Sequence, residues 1–233
     1  MQTFDDDLAL AHRLADAARV TSLSYFGGPL RQWSKNDGSL VTEADIAVED
    51  ELRAFLAAER TDDTMLGEER GQTGTGGRRW IVDGIDGTAN FAAGTPDWGT
   101  LIALELEGQI VVSVCDEPVH KRRYWAVRGG GAFRSDDGSG ASTQLRTSPR
   151  TELRTSRSYL PPAKWMPDER ARAIAQAVAS ATNPESPIDH PALQIATGTY
   201  EVAVIFIAGP WNIAAPSLVV EEAGSRTSPA NGD

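Results

Sequence analysis

Apolar residues recur at helical spacing between Leu8 and Phe26, where Leu10, Leu14, Ala17 and Ala18 share a face; Gly27-Gly28-Pro29 ends the run. The polar stretch Ser34 to Ser39 reads as an exposed turn. A second helix is expected from about Thr42, with Val48, Leu52, Phe55 and Leu56 as its buried stripe. The period then shortens. Thr64-Met65-Leu66 and Trp80-Ile81-Val82 read as strands, the second stopping at Asp83, with a loop over 71–77 between them. Thr100 to Leu106 and Ile110 to Cys115 form a hairpin about Glu107-Gly108-Gln109, Tyr124 to Val127 is a further strand, and Gly129-Gly130-Gly131 is a tight corner. The Ser-, Gly-, Thr- and Arg-rich stretch 135–150 reads as a surface excursion or a boundary between two halves, 1–148 and 149–233. A helix follows from Asp168 to Ser180. Val202 to Ile207 reads as an apolar strand buried on both faces. A last helix runs from Ile213 to Glu222, which puts Pro216 in its first turn, where proline is tolerated. Hairpins mixed with strand–helix alternation predict a layered α/β protein.

With 233 residues and 40% hydrophobic content, the chain can build one substantial core. The net charge of -11 argues against a nucleic-acid partner, which calls for a basic stripe. If the ligand is itself an anion, bound divalent cations would reconcile it with an acidic protein. One cysteine, Cys115, leaves no disulfide framework and no Cys-based zinc site. The three histidines, His12, His120 and His190, form no HExxH pair. Met1 to Asp7 is polar and acidic, unlike a signal peptide, and no apolar run approaches the length of a membrane span. The expected location is the cytoplasm, with no membrane partner.

The sharpest local feature is Trp80-Ile81-Val82-Asp83-Gly84-Ile85-Asp86-Gly87-Thr88. A buried strand delivers two carboxylates to a turn, and a helix is expected from about Thr88. Hard cations such as Mg2+ take oxygen ligands, and Asp83, Asp86 and the Ile85 carbonyl can converge on adjacent positions. Gly87 and Thr88 would then offer backbone N–H groups to a phosphate. The competing reading is a plain helix cap. Thr42-x-x-Asp45 likewise matches a capping box, and a carboxylate fixed as a cap is still available for chemistry.

Four elements occur in order: Lys35-x-Asp37-x-Ser39-x-Val41-Thr42-x-x-Asp45, Gly67-Glu68-Glu69, Asp83-x-Ile85-Asp86-Gly87-Thr88 and Trp211-x-x-Ala214-Ala215. Together they resemble the inositol monophosphatase family, Mg2+-dependent, lithium-sensitive phosphatases, from Leu8 to Gly224. The resemblance implies a layered αβαβα sandwich and a small phosphorylated substrate, either an inositol phosphate or histidinol phosphate. It also implies two or three Mg2+ ions and a homodimer. Carried over by position, Glu68, Asp83 and the Ile85 carbonyl would hold a first metal, and Asp83, Asp86 and residue 212 a second. Thr88 supported by Asp45 would orient and activate the attacking water.

Three departures qualify the resemblance. Where the family has Trp-Asp, this chain has Trp211-Asn212, which keeps one oxygen but loses the charge that holds a hard cation, so a weakened second metal is expected. An alternative is a family member that binds or regulates without turnover. Gly84 replaces the usual proline, a loss of rigidity that leaves the ligands in place. The family commonly continues past Glu221-Glu222-Ala223-Gly224 into another strand and helix, whereas this chain ends at Asp233, so a short second half with an open sheet edge is expected. At the position where inositol phosphatases carry a glutamate, six before the tryptophan, stands Ile205. Phe91 to Leu104 and Arg122-Arg123-Tyr124-Trp125-Ala126 look more like the histidinol-phosphatase branch. Asp189 and the Gly209-Pro210 approach are candidate contacts to the leaving group. Cys115 and Trp98 read as core.

Overall fold

The structure, a computed structural model, describes residues 3–36, 38–136, 141–185, 190–206 and 208–228. Asp37, Ile207 and the candidate contact Asp189 lie outside the described residues.

Helix α1 spans Asp5–Tyr25 and packs against α2, Glu43–Glu59. Between them the expected turn is the tip of a hairpin, β1 (Gln32–Ser34) paired antiparallel with β2 (Leu40–Thr42). Thr42 caps α2 as its sequence implies. Its hydroxyl accepts from the Ala44 and Asp45 amides, and the Asp45 carboxylate accepts from the Thr42 amide.

Eight strands form the main sheet: β3 Thr64–Gly67, β4 Gly71–Thr73, β5 Arg78–Asp86, β6 Gly99–Leu106, β7 Gln109–Glu117, β8 Arg122–Val127, β9 Gly131–Asp136 and β10 Thr143–Gln144. Their order is β10-β9-β8-β7-β6-β5-β3-β4, with only the β3–β5 pair parallel. Alternation along the central strands covers both faces. Trp80, Val82, Ile102, Leu104, Val112 and Val114 face the cluster built with α1 and α2, while Ile81, Leu101, Ala103 and Cys115 face the opposite one.

That second face is covered by α5 (Pro191–Ala196) and α6 (Pro210–Glu222). Beyond them lies a small sheet, β12-β11-β13, made of β11 (Arg157–Tyr159), β12 (Asn183–Pro184) and β13 (Val202–Ala203), with α4 (Glu169–Ala181) against β12. The succession helix, sheet, helix, sheet, helix is the expected αβαβα sandwich.

Four local expectations need correction. The region 71–77 contains an edge strand, β4, made of polar residues that carry no hydrophobic alternation. The excursion begins later than expected, because β9 runs to Asp136 and β10 adds the outer strand. The apolar run from Val202 yields only a two-residue, half-buried strand, and Ile205 is 37% exposed. Helix α6 starts three residues early, at Pro210, so Pro216 sits inside it and is buried. A proline there has no N–H for the carbonyl of Asn212, four residues back. The Asn212 backbone instead acts on His190, at the N-cap of α5, raising its pKa against the lowering by burial.

Candidate active site and metal centre

Strand β5 carries the acid pair, and its pairing explains how both acids reach one site. Against β6, Asp83 lies opposite Leu101 but Asp86 lies opposite Gly99, so one extra residue is inserted on β5. Alternation alone would send residues three apart to opposite faces; the bulge brings Asp83 and Asp86 back to the same one. The strand therefore does not stop at Asp83. It continues to Asp86 and turns at Gly87, which has φ 87°, and α3 (Thr88–Ala92) begins. A Cβ on Gly87 would lie 3.0 Å from the Asp97 carbonyl oxygen, so conformation and space both call for glycine.

Helix α2 meets this turn from the side. The Thr88 hydroxyl donates to Asp45 Oδ1 at 2.9 Å and lies 3.2 Å from the Ile85 carbonyl, while Asp45 Oδ2 accepts from the Thr42 amide and hydroxyl at 2.8 and 2.5 Å. Burial raises the Asp45 pKa and these hydrogen bonds oppose the rise without cancelling it. Glu68 follows β3 at the end of the parallel pair. It shares Lys35 with Glu69, the ammonium lying 2.7 Å from Glu68 Oε1 and 2.6 Å from Glu69 Oε1. Burial opposes the charge on Lys35, but the two carboxylates raise its pKa overall.

Asp83 is 2% exposed. Burial pushes its pKa well above the ordinary carboxylate value, and the negative charges of Asp86 and Glu68 add to the rise. Burial also raises Asp86, opposed by His190. Of the three predicted ligand carboxylates only Asp83 is buried; Glu68 and Asp86 are half-buried, and Glu68 is paired with Lys35.

Asn212 spans the acid pair. Its side-chain oxygen accepts from the Gly209 amide at 2.9 Å, and its NH2 donates to Asp83 Oδ2 at 2.8 Å and Asp86 Oδ1 at 3.3 Å. The network fixes this orientation, because a flipped amide would set N–H against N–H at Gly209 and oxygen against carboxylate at the aspartates. Among the described residues no three His, Cys, Asp or Glu side chains stand ready around a common cation position. Instead the oxygen donors are held by the chain's own donors, Lys35 on Glu68 and Asn212 on both aspartates. The donor set, all oxygen and acidic, suits a hard cation at Glu68, Asp83 and the Ile85 carbonyl. At Asp83, Asp86 and residue 212 the third charge is missing.

Next to Asp86 and Gly87 opens a cavity of about 430 Å³. Asp97, Trp98, Tyr159, Trp165 and His190 line it, and Cys115 lies in its floor. Ile205 is not among its walls. Burial raises the Cys115 thiol well above its usual pKa, in keeping with a core residue. Asp116 and Glu117 also border the cavity, but Arg19 and Arg123 engage the first and Arg122 the second.

Sequence reasoning missed His190. Its Nδ1 accepts from the Ala192 amide at 3.2 Å, which leaves the proton on Nε2, 3.9 Å from Asp86 Oδ2, and burial lowers its pKa. The one local signal is the pair His190-Pro191, a cap followed by proline at the first helical position.

The chain matches the model of the inositol monophosphatase family over residues 7–233. Among curated proteins it is 40% identical to a histidinol-phosphatase of Mycobacterium tuberculosis, over 97% of this chain and 88% of that protein. It is 39% identical to a Streptomyces griseus protein named glucose-1-phosphate thymidylyltransferase, over 98% of this chain and 87% of that protein. Among solved structures it superposes on an inositol monophosphatase from Zymomonas mobilis with TM-score 0.79 and 28% identity, covering 96% of this chain and 85% of that one. The extragenic suppressor protein suhB of Bartonella henselae gives TM-score 0.80 at 25% identity, covering 94% and 85%. No helix among the described residues is long and apolar enough to cross a membrane. This chain therefore belongs to the inositol monophosphatase family, and with it to the phosphoric monoester hydrolases.

Proposed function

We propose that the chain hydrolyses a small phosphate monoester with Mg2+, histidinol phosphate being the better fit and an inositol phosphate the second. The observation that carries this reading is the grouping of buried Asp83 with half-buried Glu68 and Asp86, the last of which borders a cavity whose walls are acidic and aromatic. Asp97 is the least enclosed acid there, its side chain 42% exposed and 3.1 Å from His120 Nε2. It would take a cationic amine, while Tyr159 and Trp165 would take a flat ring. A polyol carries no charge to pair with Asp97. Nucleotidyl transfer fits less well, since among the described residues no Lys or Arg lines the cavity to seat a triphosphate.

Glu68, Asp83 and the Ile85 carbonyl would hold the first Mg2+, and Asp83, Asp86 and Asn212 a weaker second. When bound, these ions supply positive charge for the phosphate oxygens and the leaving alkoxide. The chain's own residues do the rest. Gly87 and Thr88 hold the phosphate at the start of α3. The Thr88 hydroxyl, held on Asp45 Oδ1, orients a water against phosphorus; its proton passes through Thr88 to Asp45, whose raised pKa makes it a better base. The new P–O bond forms as the ester P–O bond breaks, and the leaving alkoxide takes a proton from solvent water and departs as the alcohol. A homodimer acting in the cytoplasm accompanies this reading.

A second reading, a weakened member that binds its ligand without turnover, is favoured by the Asn212 amide bridging both aspartates. Phosphate release from histidinol, inositol and nucleotide monophosphates, with and without Mg2+ and Li+, separates the two. Turnover without any divalent cation overturns the mechanism, and tight substrate binding with no release supports the second reading. Within the mechanism, Thr88→Val is expected to lower kcat by about 10²-fold or more while leaving KM near the wild-type value. Steady-state kinetics check it; an unchanged kcat removes Thr88 and Asp45 from the proton path.

A further inference from the structure

Helix α2 carries a second buried acid, Glu49, one turn after Asp45, which the mechanism above does not use. It is fully buried, and both of its oxygens are engaged. Oε2 accepts from the Glu69 amide at 2.7 Å; Oε1 accepts from the Arg70 amide at 2.9 Å and from Arg53 at 2.6 Å. Arg53 in turn donates to the Gly71 carbonyl at 3.0 Å and to Thr73 Oγ1 at 2.8 Å, closing a cage around the turn between β3 and β4. Gly67 packs directly on the carboxylate, and a Cβ there would fall 2.1 Å from Glu49 Oε1.

We propose that Glu49 is a positioning residue, whose carboxylate gathers the backbone of residues 67–70 so that Glu68 stands beside Asp83. The proposal rests on the reading of Glu68 as a metal ligand. Residues four apart share one helix face, so a single face of α2 sets both halves of the site: Asp45 holds Thr88 and Glu49 holds the turn bearing Glu68. A buried charge costs stability unless it is paired and hydrogen-bonded. An apolar side chain would fill the same space but leave the Glu69 and Arg70 amides without acceptors. Two successive N–H groups converging on one anion make a rigid turn, and rigidity there fixes where Glu68 points.

Glu49→Gln tests this, because an amide can accept on one side only and must set its NH2 against one of the two N–H groups. Mn2+ binding, read by electron paramagnetic resonance on the whole chain, is expected to weaken by about 10-fold or more, the scale of losing a residue that orients a metal ligand. The Mg2+ concentration for half-maximal phosphate release should rise in step, with activity recovering at saturating Mg2+. A purely structural role would lower the melting temperature and leave Mn2+ affinity unchanged, and that outcome overturns the proposal. Glu49→Asp, which keeps the charge but withdraws it by one methylene, gives the same reading should the glutamine variant not fold. If the wild-type chain binds no Mn2+, the metal reading of Glu68 fails and the proposal with it; wild-type binding with unaltered variants sinks the proposal alone.

Discussion

Replacing Asn212 by aspartate lowers the Mg2+ concentration required for half-maximal phosphate release by about 10-fold or more. The side chain stands at the third position of α6, where its oxygen already caps the Gly209 amide at 2.9 Å. Aspartate preserves that bond. Its second oxygen would replace the NH2 that now donates to Asp83 and Asp86, turning a donor bridge into a third carboxylate facing buried Asp83 and half-buried Asp86. At about 4 Å two like charges repel by about 4 kcal/mol with an effective dielectric near 20, so three such groups favour a divalent cation between them. The same substitution should therefore lower the melting temperature in chelator and raise the stabilisation gained from Mg2+. A Mg2+ titration of phosphate release, paired with thermal melts with and without the ion, reads both effects. An unchanged midpoint would mean that position 212 faces no cation, and the second metal would have to be assigned elsewhere.

Where information was local, the sequence was readable. The Thr42–Asp45 capping box spans one helical turn, and the structure repeats it bond for bond. Strands β5, β6 and β7 were legible because residues such as Trp80, Ile102 and Val114 alternate with a second buried set. The order of motifs identified the family, but not how the acids meet. The bulge between Asp83 and Asp86 depends on the partner strand and has no signature within β5. Strand β4 was invisible because an edge strand of Gly71, Gln72 and Thr73 is polar on both faces. Val202 to Ala203 failed in the other direction, since apolar residues near a small outer sheet need not be buried on two sides. Glu49 and His190 act on partners about 20 residues or more away in the chain, on Glu69 and Asn212, and spacing alone could not reveal them. Nor could it show that Asn212 turns its nitrogen, not its oxygen, to the acids.

Asp83→Asn should yield a chain that is more stable in chelator and nearly inactive. Asp83 is buried between Asp86 and Glu68, and burial first, then those charges, raises its pKa well above the ordinary value. A carboxyl with a raised folded pKa holds its proton more tightly folded than unfolded. Stability is then lost as pH rises above the unfolded value, and at neutral pH that loss is in force. A neutral isostere removes it. The substituted amide can still accept from the Ile85 N–H, now 3.1 Å from Asp83 Oδ1, and its NH2 can turn to the Glu68 carboxylate. Meeting the Asn212 NH2 donor to donor offsets part of the gain. A net stabilisation of about 1 kcal/mol would raise the melting temperature by about 2–4 °C for a chain of this size. Activity should fall by at least about 10²-fold, the scale of losing one preorganised electrostatic partner. The wild type, with Mg2+ at about 100 times its dissociation constant, should gain about 2.7 kcal/mol of stability, and the variant almost none. Stability and function thus pull in opposite directions at one carboxylate, as expected when a buried charge is kept for a cation. A variant that melts lower in chelator, or that Mg2+ stabilises as much as it does the wild type, would show that Asp83 is structural.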